Sequence, residues 1–328
     1  MASFTSSSDR SPIRLLVRTA IFAVPIALLL LLAMAFGPHA SRIDFMGGVI
    51  AKHARLQALG SPKVIVIGGS NAAFGIDSEI LERALCKPVV NMSIHASLGF
   101  KFMVDEIKGS LGEGDLVIAA LEHSAYSKPE KDNDIHILTV DRWPESLDLL
   151  PWYRRPRILL GVMVMRAQGA WKIFTGAWKD DSPDPVYRAD GFNERGDLVT
   201  HLGRPPRDPE RQQHVDYHLP LLGGTFTAVA RELADSAEAN HARVVFAWPV
   251  VARTSYRPVF HEAIRAGTLE QGFDMIGVSE DYVMPDTAFY DTHHHLRATG
   301  RRLRTERLVR DLCASGMVTC CAASRDTL

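Results

Sequence analysis

Between Thr19 and Pro38 the chain carries no charged residue, and Ala27-Leu28-Leu29-Leu30-Leu31-Leu32-Ala33-Met34 is the apolar centre of that run. Twenty helical residues rise about 30 Å, the hydrocarbon thickness of a bilayer. No other feature constrains the chain as strongly, because a segment of this kind must be withdrawn from water. Arg10, Arg14 and Arg18 precede it, whereas the near downstream side holds only Arg42 and Lys52. The positive-inside bias then assigns residues 1–18 to the cytoplasm, 19–38 to a single-pass anchor, and the rest to the far side of the membrane. Pro25 is compatible with a spanning helix.

Two other readings stand beside the anchor. Ala33-Met34-Ala35 fits a small-x-small cleavage site, although the apolar core exceeds the roughly 7–15 residues usual in signal peptides. A buried core helix would show a polar face, and this run has none. Anchor and signal peptide lead to the same compartment, periplasm or cell exterior, where disulfides persist. Four cysteines are too few for a disulfide scaffold, and their placement (Cys86 alone, Cys313 seven before Cys320, Cys321 adjacent) matches no zinc spacing. A bridge from Cys313 to Cys320 or Cys321 stays open.

The remainder has globular composition, 46% hydrophobic and 23% charged, which excludes a disordered chain. With 37 Lys plus Arg against 38 Asp plus Glu, no basic field exists to hold nucleic acid. Residues 39–61 read as a connecting helix. Strands are predicted at 63–68, 89–92 and 115–121, with helices at 77–85 and 98–111 between them. That alternation implies parallel pairing through crossovers. Residues 127–215 lose the rhythm and read as an insertion of helices and loops with Trp143, Trp152, Trp171 and Trp178. The pattern resumes with a helix at 221–240, a strand at 243–248, a helix at 258–267, a short strand near 273–276 and a helix at 298–313. The expectation is one α/β domain over 62–328: a three-layer α/β/α sandwich, flavodoxin-like, with a parallel sheet and an inserted cap.

Ligands of open parallel sheets bind beyond the carboxyl ends of the strands. Gly68-Gly69-Ser70-Asn71 follows the first strand, Ser93-Ile94-His95-Ala96 the second, and Glu122-His123-Ser124 the third. Near the end stands Asp291-Thr292-His293-His294-His295, five residues before Gly300. A serine hydroxyl needs a base to act as nucleophile, and an imidazole steadied by a carboxylate supplies one. Ser70 is therefore a candidate nucleophile, with a histidine of the triplet as base and Asp291 as its orienting partner. Amides after Ser70 and in the Ser93–Gly99 loop are candidate oxyanion donors. Three consecutive histidines also suggest a metal site, but consecutive side chains diverge, so at most one or two can share an ion.

These segments resemble the SGNH/GDSL hydrolase superfamily, in particular its membrane-anchored bacterial branch related to proteins handling acetyl groups on exopolysaccharides. The resemblance covers roughly residues 62–126 and 243–312. Gly68-Gly69-Ser70 stands for the Gly-Asp-Ser block, with Gly69 in place of Asp. Asn91-Met92-Ser93-Ile94-His95-Ala96 stands for Asn-x-Gly-x-x-Gly, with Ser93 and Ala96 replacing both glycines. Asp291 to Gly300 stands for Asp-x-x-His-Pro-Asn-x-x-Gly. There the His-to-Gly spacing selects His295 as base and the Asp-to-His spacing selects His294; the run directly into the helix favours His295. The Gly-x-Asn-Asp block, whose asparagine feeds the oxyanion hole, is replaced by Leu121-Glu122-His123-Ser124. An ionised Glu122 cannot donate a hydrogen bond, which leaves His123 or Asn71 as substitutes.

The resemblance implies a serine esterase or O-acyltransferase of a bacterial inner membrane, with Ser70, His295 and Asp291 as the catalytic set and no cofactor. Its expected partners are an acylated carbohydrate, the membrane through the N-terminal helix, and polysaccharide biosynthesis proteins. Hydrolysis and transfer share one acyl-enzyme. The altered blocks leave a second reading open, a catalytically weak module that binds glycan or holds an envelope assembly together. The tryptophans of the insertion are expected either to pack in the core or, in the enzyme reading, to stack on sugar rings.

Overall fold

The computed structural model describes residues 12–39, 45–127, 133–177, 184–207 and 222–319. Its first element, α1 (Pro12–Phe36), starts seven residues before the uncharged run and ends at the Gly37-Pro38 stop. Residues Arg14–Phe36 are long and apolar enough to cross a membrane, and only 6% of their most apolar stretch is buried in the protein. That exposure excludes a core helix. The connecting segment narrows to a 3₁₀ turn at Phe45–Gly47 and α2 (Gly48–Ala58).

Strands β1 (Val64–Gly68), β2 (Val89–Asn91), β3 (Leu116–Ala120), β4 (Arg243–Ala247) and β6 (Met275–Ile276) form one sheet in the order β2-β1-β3-β4-β6. Every pairing in it is parallel. Two further short strands, β5 (Val251–Ala252) and β7 (Val283–Met284), pair separately and had no legible sequence signal. Alternate side chains of a strand point to opposite faces, and both faces are apolar. Ile65, Ile67, Val117, Ala119 and Phe246 face α2, α5 (Phe100–Ile107), α8 (Gly224–Ala239) and α9 (Pro258–Glu270) through Leu56, Val104, Leu233 and Ile264. Val64, Val66, Leu116, Ile118 and Val245 face α4 (Ser78–Leu85) and α10 (Ala298–Ala314) through Leu81, Leu85, Leu308 and Leu312. Such doubly covered sheets need near-continuous β-branched strands, and Val-Ile-Val-Ile in β1 is one. Asp77 caps α4, its carboxylate accepting from the Glu79 and Ile80 amides at 3.2 and 3.4 Å.

The irregular region holds α6 (Asp134–Arg142) and α7 (Arg155–Phe174), which pack against each other and against the body through Val140, Leu150, Ile158 and Val162. Its later part is woven into the domain. Asp197 is fully buried and takes hydrogen bonds from Ser78 Oγ at 2.6 Å, Asn91 Nδ2 at 2.9 Å and Arg301 at 2.9 Å. Trp178 lies outside the described residues, as do Cys320 and Cys321. Cys86 and Cys313 are both disulfide-bonded.

Candidate active site

A short helix that the sequence pattern did not announce, α3 (Ser70–Gly75), begins directly after β1 and presents Ser70 at its first position. Gly69 joins the two, and its lack of a side chain is required. A Cβ there would lie 2.5 Å from Glu122 Oε1 and 2.7 Å from Ala96 Cβ. The aspartate of the Gly-Asp-Ser block has no room.

The Ser70 hydroxyl donates to Glu122 Oε1 at 3.2 Å, and the Asn71 amide donates to the same oxygen at 3.1 Å. One carboxylate oxygen thus takes both the hydroxyl and the first amide after it. Burial works against charge on Glu122, but His294, the Asn71 N–H, His295 and His95 outweigh it and hold the carboxyl below its ordinary range. Glu122 is therefore an ionised acceptor. The Asn71 side chain is committed elsewhere: Nδ2 donates to the Ala120 carbonyl at 3.1 Å, and Oδ1 accepts from Arg304 at 3.0 Å. Arg304 also donates to the Asn71 carbonyl at 2.7 Å. Burial lowers this guanidinium to about 10, so it stays charged near neutrality and clamps the backbone behind Ser70.

At the other end of the chain, His295 Nδ1 lies 2.7 Å from Asp291 Oδ1. A carboxylate only accepts, so Nδ1 carries the proton and Nε2 is the basic nitrogen. Tyr187, from the irregular region, donates its hydroxyl to Asp291 Oδ2 and lies 3.1 Å from His295 Nδ1. Burial opposes charge on Asp291, yet its hydrogen bond and charge interaction with His295, joined by the Tyr187 bond, bring its pKa below the ordinary value. The His295 ring stacks on Phe74, 3.9 Å between centroids and 7° from coplanar. Phe74 is four residues after Ser70 on α3, so the two share a helix face. His95 completes the cluster. Its Nδ1 accepts from the Ser97 amide at 3.1 Å, and burial pushes its pKa down despite Glu122.

Three of the anticipated roles take a different form. Asn71 offers its backbone amide, not its side chain. Ser93 is fully buried, and its amide is taken by Asn91 Oδ1 at 3.1 Å. His123 is buried, with Nε2 2.9 Å from His261 Nε2 and its ring stacked on His294. Burial, His294, His261 and His293 drive the His123 pKa well down, so it is a neutral packing group. The histidine triplet diverges as consecutive residues must: His294 Nδ1 donates to the Val250 carbonyl at 3.2 Å, while His295 turns to Asp291. Among the described residues no three His, Cys, Asp or Glu come together in a metal-holding arrangement. Asp291 thus pairs with His295, four residues on, and not with His294.

Tyr187 is the member that sequence reading missed. It sits 104 residues from the carboxylate it touches, and the only local sign was the Asp184 carboxylate, which accepts from the Val186 and Tyr187 amides at 2.8 and 3.0 Å and shapes that turn. Compared with known proteins, the sequence matches no family model and no curated protein, so the functional reading rests on the geometry of Ser70, Glu122, Asp291 and His295.

Proposed function

We propose that the chain is a membrane-tethered, extracytoplasmic serine esterase or O-acyltransferase of SGNH-like α/β/α architecture, acting on acyl esters, acetyl foremost, of an envelope or secreted polysaccharide. Ser70 Oγ attacks the ester carbonyl carbon while His295 Nε2 takes its proton. The sugar alkoxide departs with that proton and leaves an acyl-serine. Water or a second sugar hydroxyl, deprotonated by His295, then releases the acyl group. Asp291 keeps the imidazole in the tautomer this requires. The observation that carries the reading is the stack of His295 on Phe74, one helical turn from Ser70. The arginines ahead of the uncharged run and the disulfide-bonded Cys86 and Cys313 favour the oxidising side of a membrane.

Glu122 favours a second reading. It takes the Asn71 amide, the donor a tetrahedral oxyanion would use, and the Ser70 hydroxyl proton that the reaction must pass to His295, so turnover needs it to swing aside or take up a proton. A site locked in this state is a glycan-binding or assembly module. A fluorophosphonate probe on the full-length protein decides between them. Ser70 labels in the wild type and Ser70→Ala abolishes labelling if the enzyme reading holds. A wild type that takes no probe and turns over no acetyl ester leaves the binding module.

A further inference from the structure

The anchor helix does not leave the domain as a free tether. It packs along α7, and the join is specific. The Arg166 guanidinium donates to the Met34 carbonyl, one of the acceptors left open at the end of α1. The same guanidinium donates through Nε to the buried Asp141 at 2.6 Å, and His39 Nδ1 lies 3.1 Å from that carboxylate. A Cβ on Gly37 would lie 2.9 Å from the Arg166 carbonyl oxygen and 3.0 Å from the Arg166 Cβ, so the two backbones approach closely only because the side chain is missing. Ala33 is buried at this contact although the helix around it is exposed.

Arg166 therefore marks the level at which α1 enters the domain. On the N-terminal side of Arg166, α7 is part of the body, with Ile158 and Val162 in its core. On the C-terminal side Gly169 is still buried, and then every residue from 171 to 177 is exposed. That end carries Trp171 at 65%, Ile173 at 54% and Phe174 at 80% exposure, with the Trp171 and Phe174 rings paired at 5.7 Å. A chain that buries fully a tryptophan elsewhere, Trp248 at 1%, leaves this aromatic cluster uncovered beside the one helix among the described residues that is long and apolar enough to cross a membrane.

We infer that the C-terminal turn of α7 is a second membrane contact, an aromatic wedge seated in the headgroup–acyl boundary of the leaflet from which α1 emerges. Trp171 lies five residues past Arg166, about 8 Å along the helix axis, which matches the roughly 5–10 Å depth of interfacial helices. Tryptophan is the residue that prefers this depth, and the Lys172 stem is long enough to return its ammonium to the headgroups. With α1 the wedge gives two attachment points, so the domain is held at a set height and rotation over the bilayer. The inference rests on α1 being a membrane anchor and is independent of the chemistry at Ser70.

The test places the photo-crosslinker p-benzoylphenylalanine in the full-length protein in phosphatidylcholine–phosphatidylglycerol vesicles, at Leu28, at Phe174 or at Val259, one position at a time. Leu28 is on α1 and Val259 is exposed at the start of α9. Lipid adducts at 28 and 174, several-fold above those at 259, support the wedge. Lipid adducts at 28 with a protein–protein adduct at 174 overturn it in favour of a second copy covering the aromatic cluster. Adducts at 28 with none at 174 overturn it in favour of a water-facing end. An absence of lipid adducts at 28 removes the anchor itself, and the wedge falls with it.

Discussion

The imidazole of His295 lies parallel to the ring of Phe74 at 3.9 Å, and this contact ties the Asp291–His295 segment to the helix that starts at Ser70. The stack fixes the plane of the ring, while Asp291 fixes its tautomer and rotation. Phe74→Leu keeps an apolar core group but removes the flat platform. It should lower stability by about 1–2 kcal/mol and reduce acetyl-ester turnover by about 10²-fold. Thermal unfolding and kcat/KM on a chromogenic acetate separate the two effects. Turnover equal to wild type would show that the stack does not position the base.

Asp291 and Tyr187 act on the same nitrogen from two sides. Asp291→Asn preserves shape but offers an amide donor to Nδ1, which favours the wrong tautomer. The expected loss is about 10⁴-fold in kcat. Tyr187→Phe removes a hydrogen bond to the carboxylate and leaves the pair intact, so the loss should be nearer tenfold. Steady-state kinetics of the two variants at equal protein concentration checks the ranking. A larger effect from Tyr187→Phe would mean that the tyrosine, not the carboxylate, orients His295.

The sheet was legible because a doubly covered parallel strand must be an apolar β-branched run, and Lys63 to Gly68, Val89 to Met92 and Asp115 to Leu121 are such runs. Structure trims each by a residue or two at the ends. The α3 helix was not legible: six residues of Ser-Asn-Ala-Ala-Phe-Gly are too short to show a period. Ser70 and the Asp291–His295 segment were identifiable from glycine and spacing. Glu122 was placed there by its strand end, but Tyr187 and Arg304 were not, because they reach the site from 104 and 233 residues away in sequence. Gly69 and Glu122 lie far apart in sequence but constrain each other in space: the Glu122 carboxylate fills the volume a side chain at position 69 would need. Gly69→Asp in the wild-type background should therefore destabilise by more than about 2 kcal/mol, through clash and like charge, as read by chemical unfolding.

Glu122 holds a negative oxygen where the proposed reaction needs to gather negative charge. Glu122→Gln keeps an acceptor for Ser70 and the Asn71 amide, removes the charge and adds a donor. If the carboxylate restrains the site, kcat/KM on a small acetyl ester rises by about 10- to 100-fold. A fall of similar size would instead assign the carboxylate an active part in activating Ser70. Fluorophosphonate labelling rates for the two proteins give the same comparison without a substrate assumption.

His201 supplies a pH dependence that can be isolated. It is fully buried, its Nε2 donates to the Leu296 carbonyl at 2.9 Å, and its ring packs on Phe74 and Tyr290. Burial is the main reason its pKa falls to about 4; nearby Arg301 and His295 push the same way, against the Leu296 hydrogen bond and Asp291. In the unfolded chain the ring titrates near its ordinary value of about 6.5. Between those values the unfolded state binds the extra proton, so stability rises with pH across the window and is lost as pH falls below about 6.5. From this group alone, moving from pH 7 to pH 5 should cost about 2 kcal/mol. His201→Gln keeps a donor for the Leu296 carbonyl and does not titrate. Urea unfolding at pH 7 and pH 5 should therefore show a smaller pH difference in the variant by about that amount, even if the variant is somewhat less stable at both. An unchanged pH difference would mean that His201 takes up its proton over the same pH range in the folded and the unfolded chain.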